Sequence, residues 1–328
     1  MSIHHKRSTR RHTLGLLFAA GVMAAAAPRV AWAEGPPAQE IRIGYQKYGT
    51  LTLLKGRGTL EKRLAASHIT VKWTEFPAGP QLLEGLNVGS IDFGSVGEAP
   101  PIFAQAAGAN LVYVGNEPAS PASEAIVVPK GSKIRSVADL KGKKLVLNKG
   151  SNVHYLLVKA LEKAGVAYSD VQVVYLPPAD ARAAFERGAV DAWAIWDPFL
   201  AAAEKQLNAR VLADGKGLVA NYQFYLAARP YADKHAEVVS IILDELAKVD
   251  QWGSQNPKEV AALLTAQTGL AEDVVALAAS RYAYGVQPIS AAVLDQQQKV
   301  ADAFTSLKLI PKTIVVKDAQ PAVKLAAK

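Results

Sequence analysis

The 328-residue chain is half hydrophobic and carries 37 basic against 29 acidic residues, a formal charge of +8. Five of the basic residues (Lys6, Arg7, Arg10, Arg11, Arg29) lie in 1–33, which has no acid, and the rest carries 32 against 29, so the excess of +3 makes no case for nucleic acid. Cysteine is absent, which excludes disulfides, thiolate metal sites and cysteine nucleophiles, and the length suffices for two domains or one large one.

The first segment reads as an export signal. A basic stretch ends at Arg11, an Ala-rich apolar run follows from Leu14 to Ala27, and Ala31-Trp32-Ala33 fits the small-x-small cleavage rule, with Glu34 as the mature start. The run is short for a span that needs about 20 residues. Thr9-Arg10-Arg11 also hints at twin-arginine export. Either route carries the mature protein out of the cytoplasm.

Beyond the leader, strand and helix patterns alternate. Strands are predicted over 39–45, 69–76, 91–95 and 111–114, with helical patterns over 51–64, 81–88 and 100–107. Gly56 and Gly58 weaken the first helix, and Gly108 stops the third. A second set follows: strands over 125–128, 144–147, 171–175, 192–195, 211–212 and 224–228. The helical patterns of this set cover 137–140, 152–164, 178–186 and 198–206. From Pro230 the pattern is almost wholly helical, with breaks near Pro257, Gly269 and Pro288, and the tail after Ile314 reads as loose. Repeated βα units predict mostly parallel sheets flanked by helices, with the late helices around the first sheet. The expected division is 1–33 leader, 34–128 plus 229–328 lobe 1, and 129–228 lobe 2. The strands at 125–128 and 224–228 would be the hinge crossovers of an α/β, two-lobed fold that closes on a ligand.

Parallel α/β sheets place ligands at the carboxyl ends of their strands. Four junctions qualify: Gln46-Lys47-Tyr48-Gly49-Thr50, Ser95-Val96-Gly97-Glu98-Ala99, Asn148-Lys149-Gly150-Ser151-Asn152, and Ile195-Trp196-Asp197-Pro198. The first three bring backbone N–H groups and a hydroxyl to a helix start, which suits a tetrahedral anion. Each is also an ordinary turn and cap, and the recurrence across two lobes carries the reading. Asp197-Pro198 is equally an N-cap followed by proline. Trp196 either walls the apolar part of a ligand or fills core. His154 is a lone histidine that contacts the anion or merely packs. No metal or cofactor is expected, and there is no Gly-x-Ser-x-Gly, HExxH or phosphate loop.

Taken in order, several segments resemble the aliphatic sulfonate-binding proteins of ABC importers, within the wider group that binds taurine, nitrate and sulfate esters. They include Ile43-Gly44-Tyr45-Gln46-Lys47, Glu75-Phe76-Pro77-Ala78-Gly79-Pro80-Gln81 and Leu86-Asn87-Val88-Gly89-Ser90-Ile91-Asp92. Pro178-Ala179-Asp180-Ala181-Arg182, Val190-Asp191-Ala192-Trp193-Ala194-Ile195-Trp196-Asp197-Pro198 and Phe224-Tyr225-Leu226-Ala227-Ala228-Arg229-Pro230 continue the match through the second half. The resemblance implies a periplasmic binding protein, type II-like. It would deliver an anionic sulfonate to an inner-membrane ABC permease for sulfur acquisition, as a monomer and without chemistry of its own. It also implies that Gln46, Gly49-Thr50, Ser95-Val96-Gly97 and Gly150-Ser151-Asn152 hold the sulfonate, while Trp196, Asp197 and Phe224 border its tail. A version tuned to taurine would pair the amine with Glu98 or Asp197. Enzymes that share the fold and make the thiamin pyrimidine depend on a cysteine motif that this chain lacks. A transcription-factor effector domain would carry a helix-turn-helix where the export signal stands.

Overall fold

The computed structural model describes residues 39–322. The leader and its cleavage position lie outside the described residues. The first run of elements is β1 (Gln39–Tyr45), α1 (Thr50–Arg57), α2 (Thr59–Ala65), β2 (Ile69–Glu75), α3 (Gly79–Asn87), β3 (Phe93–Gly97), α4 (Pro100–Ala106) and β4 (Leu111–Asn116). The chain then builds β5 (Glu124–Val128), β6 (Lys144–Leu147), α5 (Asn152–Lys163), β7 (Gln172–Tyr175), α6 (Pro178–Glu186), β8 (Ala192–Trp196), α7 (Phe199–Leu207) and β9 (Arg210–Asp214). It returns through β10 (Gln223–Ala228) and ends in α8 (Arg229–Lys234), α9 (Ala236–Gln255), α10 (Pro257–Thr268), α11 (Glu272–Ala279) and α12 (Ala291–Ser306).

Two five-stranded sheets result, ordered β2-β1-β3-β10-β4 and β7-β6-β8-β5-β9. In each, four strands run one way and one runs against them: β10 is antiparallel to β3 and β4, and β5 is antiparallel to β8 and β9. The odd strand is the one that arrives from the other sheet. A strand that enters from the gap between lobes must start where its neighbours end, so it has to run antiparallel.

Glu124–Val128 lies inside the second sheet and Gln223–Ala228 inside the first, each strand arriving from the other sheet, and the segments 117–123 and 215–222 join the two sheets. They run side by side, with the Glu117 N–H donating to Gln223 O at 2.8 Å and the Gly215 N–H to Pro121 O at 2.9 Å. Apolar strand composition makes β5 and β10 stand out in the sequence, whereas the joining segments are short loops without a periodic signal.

Local chemistry explains most boundaries. The helix expected over 51–64 is two helices, because Gly58 adopts the left-handed conformation (φ 62°) and its N–H bonds back to Leu54 O. In α3, Leu82, Leu83 and Leu86 form the buried face, each worth about 1.5–3 kcal/mol of burial. Ser290 caps α12 by accepting the Val293 N–H at 3.2 Å.

The late helices divide their packing rather than all covering the first sheet. α9 and α10 bury Val238, Ile242, Leu246, Val260 and Leu264 against Ile41, Ile43 and Phe93 of that sheet. α11 sets Val274 and Ala278 against Ala201 and Ala202 of α7. α12 brings Phe304 to Tyr155 of α5, ring centroids 5.9 Å apart. Of the tail after Ile314, the described residues 315–322 are docked, not loose: Val316 and Ala319 are buried and the Val316 N–H donates to Gln298 Oε1 at 2.9 Å. Among the described residues no helix is long and apolar enough to cross a membrane, and no group of His, Asp and Glu could hold a metal ion.

Candidate functional site

The carboxyl ends of β1, β3, β6 and β8 and the starts of β5 and β10 meet between the two sheets. Two small cavities of about 50 Å³ each lie there and share Tyr48, Asn152, Trp196 and Gln223. The first is completed by Gln46, Gly79, Gly97, Pro100 and Ser151. The second is completed by Gly49, Ser120, Ser123, Asp197, Asn221 and Tyr282. Among the described residues no lysine or arginine lines either cavity, so an anion here would be met by neutral N–H and O–H donors and by the N-terminus of α5.

Of the residues expected from the sequence, the structure brings together Gln46, Gly49, Gly97, Ser151, Asn152, Trp196 and Asp197. Gln46 is oriented by donating Nε2 to Ser95 O at 3.1 Å. Gly49 caps α1 at φ 92°, a conformation that favours glycine. Ser151 caps α5 and spends its hydroxyl hydrogen on Asn148 O at 2.6 Å. Asn152 spans the gap: its Nδ2 donates to Asn221 Oδ1 on the crossover, and its amide lies directly over the Cα of Gly97.

Asp197 caps α7 by accepting the Ala201 N–H at 3.0 Å, and Arg281 Nη1 lies 3.4 Å from its Oδ1. Its side chain is fully buried, and that burial pushes the carboxyl up to about 7 even though Arg281 pulls the other way. Trp196 stands edge-on to Phe199 with its face available to both cavities.

The remaining expected residues are elsewhere. Thr50 is turned under the turn it belongs to, donating to Asp250 Oδ1 at 2.7 Å and lying 3.3 Å from Glu117 Oε1. Ser95 and Val96 are buried in β3, where Ser95 contributes its carbonyl to Gln46. Glu98 faces the second crossover, where it accepts the Tyr222 N–H at 3.3 Å and lines a separate cavity of about 280 Å³. Burial pushes its carboxyl up to about 7. Gly150 borders a third cavity at the outer edge of the gap. Phe224 is core, edge-to-face with Tyr113 at 5.0 Å.

His154 is fully buried behind the Gly150 turn. Its Nδ1 accepts the Gly150 N–H at 3.2 Å and its Nε2 meets the Tyr168 hydroxyl at 2.7 Å. Burial, then the nearby Lys149 charge, pushes it down to about 3, so it is neutral and props the turn.

The sequence reading missed Gly79, Pro100, Ser120, Ser123, Asn221, Gln223 and Tyr282, and named Tyr48 only within its junction. Asn221 is central among these, at φ 51° and donating Nδ2 to Ser120 O (2.9 Å) and Ser123 Oγ (3.0 Å). A signal existed: an antiparallel return strand starts at the gap, so the residues just before β5 and β10 had to lie there.

The family described as NMT1/THI5 like matches residues 69–260. An aliphatic sulfonates-binding protein of Escherichia coli (strain K12) is 47% identical over 300 residues, 91% of this chain and 93% of the relative. The alkanesulfonate-binding protein SsuA of Xanthomonas axonopodis pv. citri, solved bound to MOPS, superposes with a TM-score of 0.83 at 44% identity, covering 87% of this chain and 99% of that one. The periplasmic aliphatic sulphonate binding protein SsuA of Escherichia coli gives a TM-score of 0.78 at 46% identity over 88% of this chain and 94% of its own.

Proposed function

Since the chain belongs to the NMT1/THI5-like family and groups there with the aliphatic sulfonate-binding proteins, we propose that it binds an aliphatic sulfonate between its two lobes. It then hands the ligand to an ABC permease. The carrying observation is the pair of neighbouring cavities at the strand ends, which share four lining residues and take polar groups from both lobes, with Asp197 as their one acidic residue. A sulfonate is fully ionised at neutral pH and offers three acceptor oxygens. The second amide hydrogens of Gln46 and Asn152 and the N–H groups of the first turn of α5 can match them, each helix-end contribution being worth roughly 0.3–1 kcal/mol.

The lobes proposed here are the two sheets with their helices, hinged at 117–123 and 215–222. The working form is a monomer in the periplasm, with the leader cleaved after Ala33. A taurine-tuned version gains no support from Asp197, because Arg281 already pairs with that carboxyl. Glu98 faces another cavity and gives it none either.

The test is calorimetry and thermal shift on the chain from Glu34 onward, with ethanesulfonate, octanesulfonate, taurine, a sulfate ester, sulfate and nitrate. A ligand that binds only the folded state raises the melting temperature by mass action. Rises with the alkanesulfonates are expected. A rise confined to taurine, the ester or nitrate would replace the substrate, and ligand-free protein silent to the whole panel would refute the sulfonate reading.

A further inference from the structure

The two neighbouring cavities have room for a head group and little else. A larger cavity of about 460 Å³ opens at the outer edge of the same gap, on the side away from the crossovers. One wall comes from α3 and α4 beside the first sheet, with Leu83, Pro100, Phe103 and Ala104. The facing wall comes from the turns after β6 and β7, with Gly150 and Leu176. Pro100 lines both this cavity and the head-group cavity, so the two are neighbours across one ring. Its size falls in the range that accommodates a small organic ligand, roughly 300–1,000 Å³.

We infer that this outer cavity is the tail compartment of the same site, selecting sulfonates with long or ring-bearing apolar tails. The inference rests on the proposed sulfonate reading. It replaces the expected tail direction past Trp196 and Phe224: Phe224 is buried in the first sheet, and the cavity that extends past Trp196 toward Asp197 and Asn221 is small and polar.

The walls suit the role. Phe103 is only partly buried and is braced from behind by Phe304, ring centroids 4.8 Å apart, so it presents a fixed aromatic surface. Lys149 and Tyr175 form the rim, the ammonium 5.5 Å from the ring centroid, which keeps the charge at the edge rather than over the apolar floor. Each buried methylene is worth about a factor of four in affinity, so the compartment should make longer sulfonates the tighter ligands.

The experiment titrates ethanesulfonate and octanesulfonate into the wild type, Ala104→Trp, Ala107→Trp and Trp196→Ala, with melting temperature as the folding check. Ala107 is exposed at the end of α4 and also lines the cavity, so its variant serves if Ala104→Trp fails to fold. The expected result is a tenfold or greater loss of octanesulfonate affinity in the tryptophan variants, with ethanesulfonate within twofold of wild type. An equal loss for both ligands, or no loss, overturns the compartment. So does a selective loss of octanesulfonate in Trp196→Ala alone. A wild type that binds neither probe refutes the sulfonate reading itself, and this inference with it.

Discussion

Gly97→Ala tests whether the two lobes close as the geometry requires. A Cβ at this position would lie 1.9 Å from Asn152 Nδ2, 2.0 Å from Oδ1 and 2.2 Å from Cγ. Gly97 has no positive φ, so alanine carries no backbone penalty, and the whole cost is that overlap. All three atoms belong to the end of one flexible side chain, so the clash is relieved by turning the Asn152 amide away. Turning it breaks the hydrogen bond to Asn221, worth about 0.5–1.5 kcal/mol, and leaves a buried acceptor unpaired at about 1–3 kcal/mol. The expected net cost to the closed form is about 2–3 kcal/mol, or roughly 30- to 150-fold in affinity. Calorimetry with ethanesulfonate on Gly97→Ala, Asn152→Ala and the double variant reads this directly. Asn152→Ala weakens binding by itself, but it removes the atoms that clash. Gly97→Ala should therefore cost little in that background, a coupling that a double-mutant cycle isolates. Additive losses would show that the two residues do not meet in the bound state, and the closed geometry argued above would fall.

Three further outcomes follow from the buried ionisable groups. Glu98 is raised to about 7 by burial, so its share of stability is present below its unfolded value near 4.5 and is lost as pH rises through about 7. Glu98→Gln should therefore gain on wild type in melting temperature between pH 5 and pH 8, by at most about 3 kcal/mol, and a constant difference over that range would contradict it. Arg281→Ala removes the Glu204 pair at every pH and leaves Asp197 buried without its cation once that carboxyl ionises, so the deficit should grow from pH 5, where Asp197 is protonated, to pH 8, by up to about 3 kcal/mol; equal deficits at both pH values would exclude the Asp197 charge as the cause. His154, held neutral, should show no imidazole titration by NMR between pH 5 and 8, and a midpoint near 6.5 would mean that the ring is not enclosed behind the Gly150 turn.

Much of the fold was legible because βα units announce themselves through apolar strands and stop signals such as Gly108 and Gly188. The positions of the four junctions followed from strand ends alone. What the sequence could not show was the role of each side chain within a junction. Thr50 and Asn152 both stand at helix starts, yet Thr50 turns inward because three buried partners, Asp250, Glu117 and Tyr282, come from segments far along the chain. Glu98 follows Gly97 directly, but the strand's last residue and the helix start send the two in different directions. Phe224 alternates with Tyr225 along β10, and both faces of that strand are buried, so no period-2 pattern distinguishes core from lining. The segments that join the two sheets are as hard to read, because a short loop has no periodicity and only strand direction reveals where it runs.

The antiparallel strand in each sheet links these observations. Because β5 and β10 both start at the gap, the crossovers that feed them form the floor of the site, and Asn221 reaches Asn152 from that floor. Closure is then registered where the ligand sits. Asn152 can keep its bond to Asn221 and lie over Gly97 only when the two lobes are together. That bond alone contributes about 1 kcal/mol, too little to hold the closed form strongly without help. In the proposed site, a sulfonate that also engaged α5 and Gln46 would add the differential affinity that shifts the population toward closure. With no cation in the lining, the ligand's charge is met by dipoles rather than by a desolvated ion pair. Opening then strands no buried lysine or arginine, the penalty that would make release slow. A site built this way binds selectively and still lets go, as a carrier that hands its ligand to a permease must.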